Sequence, residues 1–191
     1  MQFFLIRHGE TDWNKQFLLQ GREDIPLNKD GIAQAHVTGK ALSNIHVDLI
    51  LSSPLSRAFN TAKIIASYTN NPKIIIEENL IERDFGKLSG LCYKGRNVFA
   101  GFEGDDEAEP LEKVTQRIFS VLNKYAQEAD EKNHRIVVVA HGAILRTVKD
   151  ALGNLEPMKL GNGAVSVINY SKGKYTLGPL NVMGDDIALL K

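Results

Sequence analysis

The sequence predicts an α/β fold, a layered sheet with helices packed against it. Three observations carry this expectation. Short apolar runs, each too brief for a helix, recur at Phe3–Ile6, Asp48–Ser52 and Arg135–Ala140. The segments between them place apolar residues at helical spacing. Strands that alternate with helices in this way belong to layered α/β sheets. At 191 residues, the chain suits a single domain spanning 1–191 with a good-sized core.

The elements follow in order. Phe3-Phe4-Leu5-Ile6 reads as a strand buried on both faces, and it runs straight into Arg7-His8-Gly9-Glu10-Thr11. Residues 14–27 read as loop. Asn28 can cap a helix to about Ser43, with Ile32, Ala35, Gly39 and Leu42 on one face. After the Asp48–Ser52 strand, Ser53-Pro54 suits a helix start, with serine as cap and proline in the first turn. Leu55, Ala58, Phe59, Ala62, Ile65 and Ala66 form that helix's core stripe, and Ile74–Ile76 is a third strand candidate. Residues 84–110 gather six glycines and prolines without a clear period and read as irregular. Leu111, Val114, Ile118, Val121, Leu122 and Tyr125 mark an amphipathic helix over 111–129. The Arg135–Ala140 strand is the strongest buried-strand signal. A helix follows from about Gly142 to Leu152 and stops at Gly153. Alternation from Val165 to Tyr170, a turn at Ser171–Lys174 and a run at Tyr175–Leu177 read as a closing hairpin.

Composition narrows the class of function. Lys and Arg total 23 and Asp and Glu total 23, so no global field points to nucleic acid or to an anionic membrane surface. Any anion site must therefore be a local cluster. No apolar run approaches membrane-spanning length, and the N-terminus lacks the basic region of a signal peptide. The single cysteine, Cys92, excludes an internal disulfide and reads as an inert thiol in a reducing compartment. The expected location is the cytoplasm. The oligomeric state is left open, a homodimer among the options.

Three buried-looking strands each end in groups suited to anions. The first ends at Arg7-His8, the second at Ser52-Ser53 with Arg57 just beyond, and the strongest at Ala140-His141-Gly142. In open α/β sheets, ligands bind beyond the carboxyl ends of the strands. If the three strands are parallel neighbours, two arginines, two histidines and two helix N-termini converge. Helix N-termini offer unpaired N–H groups, and arginine offers a planar fork that matches phosphate oxygens. Such a pocket suits a phosphoryl group and holds an imidazole able to attack it. Taken singly, each residue reads blandly. Arg7 or Arg57 alone is a surface cation, His141 a core histidine and Glu82 a solvated loop carboxylate. His36, His46 and His134 keep that plain reading.

The motifs resemble those of the histidine phosphatase superfamily, which includes the cofactor-dependent phosphoglycerate mutases. Arg7-His8-Gly9-Glu10-Thr11 resembles its signature, continued by Asp12-Trp13-Asn14. Ser52-Ser53-Pro54-Leu55-Ser56-Arg57-Ala58 resembles its second arginine segment. Leu80-Ile81-Glu82-Arg83-Asp84-Phe85-Gly86 resembles its acid segment, and Val138-Val139-Ala140-His141-Gly142 its second histidine segment. Four blocks in family order span residues 4–142. The resemblance implies a three-layer sandwich, with a mostly parallel central sheet and helices on both faces. It implies His8 as a nucleophile that becomes a phosphohistidine. Arg7, Arg57 and His141 would clamp the phosphoryl oxygens, with Asn14 and Gly142 in the substrate-binding set. Glu82 would give a proton to the leaving oxygen and later take one from water. His8 must then present an unprotonated nitrogen, and a backbone carbonyl near Gly9 is a candidate acceptor for the other one. No cofactor and no metal is implied. The sequence departs from the family's pattern at Arg22, where an aromatic often stands, and at Leu88-Ser89-Gly90, where an aromatic-Glu-Gly ending is common.

The expected activity is hydrolysis of a small phosphomonoester, with a mutase as the alternative. The mutases carry a longer insertion with basic residues after the acid segment. Here residues 91–109 hold Lys94 and Arg96, followed by Glu103, Asp105, Asp106, Glu107 and Glu109. Such an acidic run reads as a solvated loop or as a rim of the pocket mouth, and grips a bisphosphorylated acid poorly. Two further classes fit the residues less well. A phosphate-binding module would need neither His8 nor Glu82. A metal centre lacks a ligand-spacing motif and would set Arg7 against a cation.

Overall fold

The computed structural model describes residues 1–94, 107–128 and 134–190. Its centre is a six-stranded sheet. The strands are β1 (Gln2–Arg7), β2 (Leu49–Ser52), β3 (Ile74–Ile76), β4 (Arg135–Ala140), β5 (Val165–Ser171) and β6 (Lys174–Leu177). Their order across the sheet is β3-β2-β4-β1-β5-β6. The first four are mutually parallel, and β5 and β6 are antiparallel additions at one edge.

Helices cover both faces. Phe3 and Leu5 pack with α4 (Leu111–Glu128) and α5 (Gly142–Ala151). Phe4 and Ile6 point the other way, toward α2 (Lys29–Ala41), α3 (Ser56–Tyr68) and a 3₁₀ turn at Gly184–Leu189. Successive strand residues face opposite sides, so a central strand buried on both must be apolar throughout. β1 and β4 meet that demand, with Phe3–Ile6 and Ile136–Ala140 all buried. Each buried Leu, Ile or Phe side chain contributes about 1.5–3 kcal/mol through removal from water.

The expected elements form, with four differences of detail. Asn28 caps α2 as expected, accepting the Gly31 N–H at 2.8 Å. The buried face of α2 is Gly31, Ala35, Thr38 and Gly39, however, and Ile32 is exposed. Small residues line that face because α2 lies directly on other backbone. α3 begins at Ser56, two residues later than expected. Ser53 is not its cap; its Oγ turns back to accept the Leu55 N–H at 3.3 Å. Phe59, placed in the core stripe of α3, is only half-buried and carries the Lys63 ammonium 4.9 Å above its ring. Finally, Asp12–Lys15 forms a short helix, here α1, at the start of the expected loop. Thr11 and Asn14 close a capping box on it, which the sequence pattern Thr-x-x-Asn half conceals.

The parallel register places the site. Arg7 pairs with Ala140, and Ser52 pairs with Val139. The three strands therefore end level with one another, and His8, Ser53 and His141 emerge side by side.

Candidate active site

Arg7, His8, Asn14, Arg57, Glu82 and Gly142 line one cleft of about 360 Å³ at this end of the sheet. His141 stands behind it, fully buried, with its ring centroid 5.1 Å from that of His8. The residues singled out in the sequence thus come together from three strand ends and the acid segment.

His8 is held by its own loop. Its Nδ1 lies 2.6 Å from the Gly9 carbonyl. A carbonyl only accepts, so Nδ1 carries the proton and Nε2 keeps its lone pair. Burial, followed by the charges of Arg57 and Arg7, pushes its pKa well below the usual histidine value, so the ring is neutral. The carbonyl near Gly9 is the acceptor that the sequence suggested.

The cations are fixed by backbone carbonyls. Arg7 Nη1 donates to Leu160 O at 2.5 Å. Arg57, in the first turn of α3, is wholly buried and donates to Glu23 O at 2.6 Å and Gly21 O at 2.8 Å. Burial lowers the Arg57 pKa to about 10, which leaves it charged at neutral pH. Gly21 takes a positive φ of 52°, which turns its loop around the guanidinium. His141 Nε2 lies 2.7 Å from Ser53 Oγ. A serine hydroxyl both donates and accepts, so this contact fits a proton on either nitrogen of His141. Burial, then Arg57, His8 and Arg7, pushes the His141 pKa down as well. Arg7 Nε and Arg57 Nε are buried donors, and His141 Nδ1 a buried ring nitrogen, with no hydrogen-bond partner among the described residues.

Glu82 is nearly buried at the cleft wall. Its Oε1 accepts the Arg83 N–H at 2.9 Å, and its Oε2 lies 3.4 Å from the Ala143 N–H at the start of α5. Among the described residues, one helix N-terminus serves the cleft, where two were expected. Gly142 and Ala143 of α5 line it, but the first N–H groups of α3 are engaged by Asp24 and Ser53. α3 contributes its arginine instead.

Other expectations resolve differently. Arg22 does not line the cleft; it pairs with Glu109 at 3.4 Å and Asp84 at 3.7 Å, tying its loop to the acid segment. Glu109 is no solvated member of an acidic run. It bonds Arg117 at 2.9 Å and accepts from the Asp84 N–H. Glu107 pairs with Lys87 at the surface. Arg96, Glu103, Asp105 and Asp106 lie outside the described residues. His36, His46 and His134 are not in the cleft wall. Sequence reasoning missed Ser53 as partner of His141, Arg146 in the wall, and Asn162. Arg146 had a signal, being four residues after Gly142 on one helix face. Burial brings its pKa to about 10.

The family model of the histidine phosphatase superfamily (branch 1) matches residues 3–182. The chain belongs to that superfamily. It is 35% identical to the uncharacterized phosphatase PhoE of Bacillus subtilis over 182 residues, 93% of each chain. It superposes on phosphoserine phosphatase of Entamoeba histolytica with a TM-score of 0.81 at 28% identity, covering 95% of this chain and 97% of that one. A phosphoglycerate mutase of Bacillus anthracis superposes with a TM-score of 0.84 at 25% identity, covering 99% and 95%. Family and phosphatase relatives together make this chain a phosphatase of the superfamily. Among the described residues, no helix is long and apolar enough to cross a membrane.

Proposed function

We propose that the protein hydrolyses a small phosphomonoester through a phosphohistidine at His8. The observation that carries this is the protonation state of His8: Nδ1 is committed to the Gly9 carbonyl, so Nε2 is a lone-pair nucleophile between two arginines. Nε2 attacks phosphorus, and the bond to the leaving oxygen breaks. Arg7, Arg57 and His141 supply buried donors for the phosphoryl oxygens, and phosphoryl transfer depends chiefly on such positioning and charge stabilisation. Asn14 and the Gly142 end of α5 assist at the same oxygens. Glu82 gives its proton to the departing oxygen. As a carboxylate it then takes a proton from the water that attacks the phosphohistidine, releasing inorganic phosphate and free His8.

Phe17, Leu19, Phe85 and Arg146 also line the cleft and offer apolar and cationic contacts to the leaving group. The proposed compartment is the cytoplasm, which suits the exposed free thiol of Cys92. A panel of phosphomonoesters assayed with EDTA, beside a mutase assay on 3-phosphoglycerate, tests the proposal. Metal-independent phosphate release is expected. Transfer to 3-phosphoglycerate that outpaces release would make the enzyme a mutase. His8→Ala should abolish turnover and phosphoenzyme labelling in a protein that remains folded, and labelling retained in that variant would overturn the assignment.

A further inference from the structure

The loop Leu160–Gly163 touches the catalytic segment Arg7–Asn14 at four points. The Leu160 carbonyl accepts from Arg7 Nη1 at 2.5 Å, and the Gly163 N–H donates to the Arg7 carbonyl at 3.0 Å. Between them, Asn162 Nδ2 donates to the His8 carbonyl at 3.0 Å and to Asn14 Oδ1 at 3.2 Å. The loop is held from outside: Asn181 accepts the Gly161 N–H at 2.8 Å and donates to the Lys159 carbonyl at 3.2 Å.

We propose that Asn162 is a positioning residue, which holds the His8–Gly9 peptide and braces the Asn14 amide in the direction that the Thr11 N–H fixes. The proposal rests on the phosphohistidine reading above. Consider first the peptide. The His8 carbonyl and the Gly9 N–H belong to one planar unit. Asn162 holds its oxygen, and Thr61 Oγ1 accepts its N–H at 3.1 Å. The next carbonyl, that of Gly9, is the one that takes the His8 Nδ1 proton. A tilt of the pinned peptide would carry that carbonyl, and with it the imidazole, out of line.

Now consider Asn14. Its Oδ1 receives the Thr11 N–H, the Thr11 hydroxyl and Asn162 Nδ2, each at 3.2 Å. A backbone N–H can only donate, so the oxygen must stand on that side. The Asn14 NH₂ is therefore left toward the cleft as a donor for a phosphoryl oxygen. The orientation of Asn162 is equally determined, because the His8 carbonyl only accepts.

The test compares Asn162→Ala and the isosteric Asn162→Asp, alone and with Asn14→Ala, in the full-length protein. Vanadate inhibition and single-turnover phosphorylation are the readouts. Asn162→Ala should weaken vanadate by about tenfold, roughly the worth of one hydrogen bond. Asn162→Asp should be worse than alanine, since it sets a carboxylate against two acceptor oxygens. In the Asn14→Ala background the loss from Asn162→Ala should shrink, because part of its effect passes through Asn14. An aspartate variant as active as the parent, or losses that simply multiply, would overturn the proposal. A His8→Ala variant that still forms a phosphoenzyme would instead overturn the underlying reading.

Discussion

Replacing Glu82 by glutamine should slow the enzyme by a factor that depends on the leaving group. An alkoxide leaves poorly and needs a proton as its bond to phosphorus breaks, whereas p-nitrophenolate leaves without one. General acid catalysis of this kind is worth roughly 10²–10⁴-fold, or about 2.7–5.4 kcal/mol. The structure shows why the change isolates the proton. Glutamine keeps the size of the side chain, and its oxygen can still accept the Arg83 N–H that Glu82 Oε1 accepts at 2.9 Å. What else is lost is the Ala143 N–H contact, which an amide NH₂ cannot accept, and charge, because Glu82 is an electrostatic partner of Arg7, Arg57 and Arg146. Removing it makes the cleft more positive for every substrate, so vanadate should bind somewhat more tightly. That contribution is common to both substrates and cancels in their ratio. Single-turnover bursts of an alkyl phosphate and of p-nitrophenyl phosphate should therefore differ in their response by about 10² or more. Bursts are needed because the proposed hydrolysis of the phosphohistidine would also use Glu82, and steady-state rates mix the two steps. Equal impairment on both substrates would refute the acid role.

Two further outcomes follow from the geometry. Arg57→Ala should weaken vanadate binding and also lower stability by about 3 kcal/mol, since two charge-assisted bonds to Gly21 and Glu23 are lost together; anion affinity and urea midpoints measured on one preparation separate the two effects. Both cleft histidines have pKa values depressed below the unfolded 6.5, so the unfolded chain binds more protons in acid. Stability should thus be fully present above about pH 6.5 and fall as the pH drops, by up to about 1.4 kcal/mol per unit for each histidine. Urea unfolding from pH 7.5 to 5 checks this, and His141→Gln should flatten the slope.

The sheet and the groups at its strand ends were legible because both are local. An apolar run that stops at Arg7-His8 or at His141-Gly142 announces a buried strand and what emerges from it. The partners of those groups were not legible. Ser53 and His141 are 88 residues apart, and Asn162 reaches His8 across 154. No spacing rule joins such pairs before the parallel register does. Ile32 shows the opposite failure. Helical spacing placed it with Ala35, Gly39 and Leu42, which are buried, yet Gly31 turned inward in its place, because only a residue without bulk could approach the loop after β1. Ser53 likewise had the chemistry of a helix cap, and it was recruited by a histidine that arrives from β4.

Gly9 and Gly31 meet backbone to backbone. A Cβ on Gly9 would stand 2.2 Å from the Gly31 carbonyl oxygen, and a Cβ on Gly31 would stand 2.0 Å from that of Glu10. Neither glycine needs an unusual φ, so lack of room alone excludes every other residue. For anyone building a variant library, these two positions are a lock without a second key. A side chain at one cannot be compensated by shrinking the other, which is already as small as a residue can be. Of the cleft walls, Phe17 already holds a left-handed φ of 58°, which favours glycine or asparagine, but Phe85 and Arg146 meet no such restriction. New leaving-group preferences can therefore be sought there by randomisation, while the seam under the nucleophile is copied unchanged.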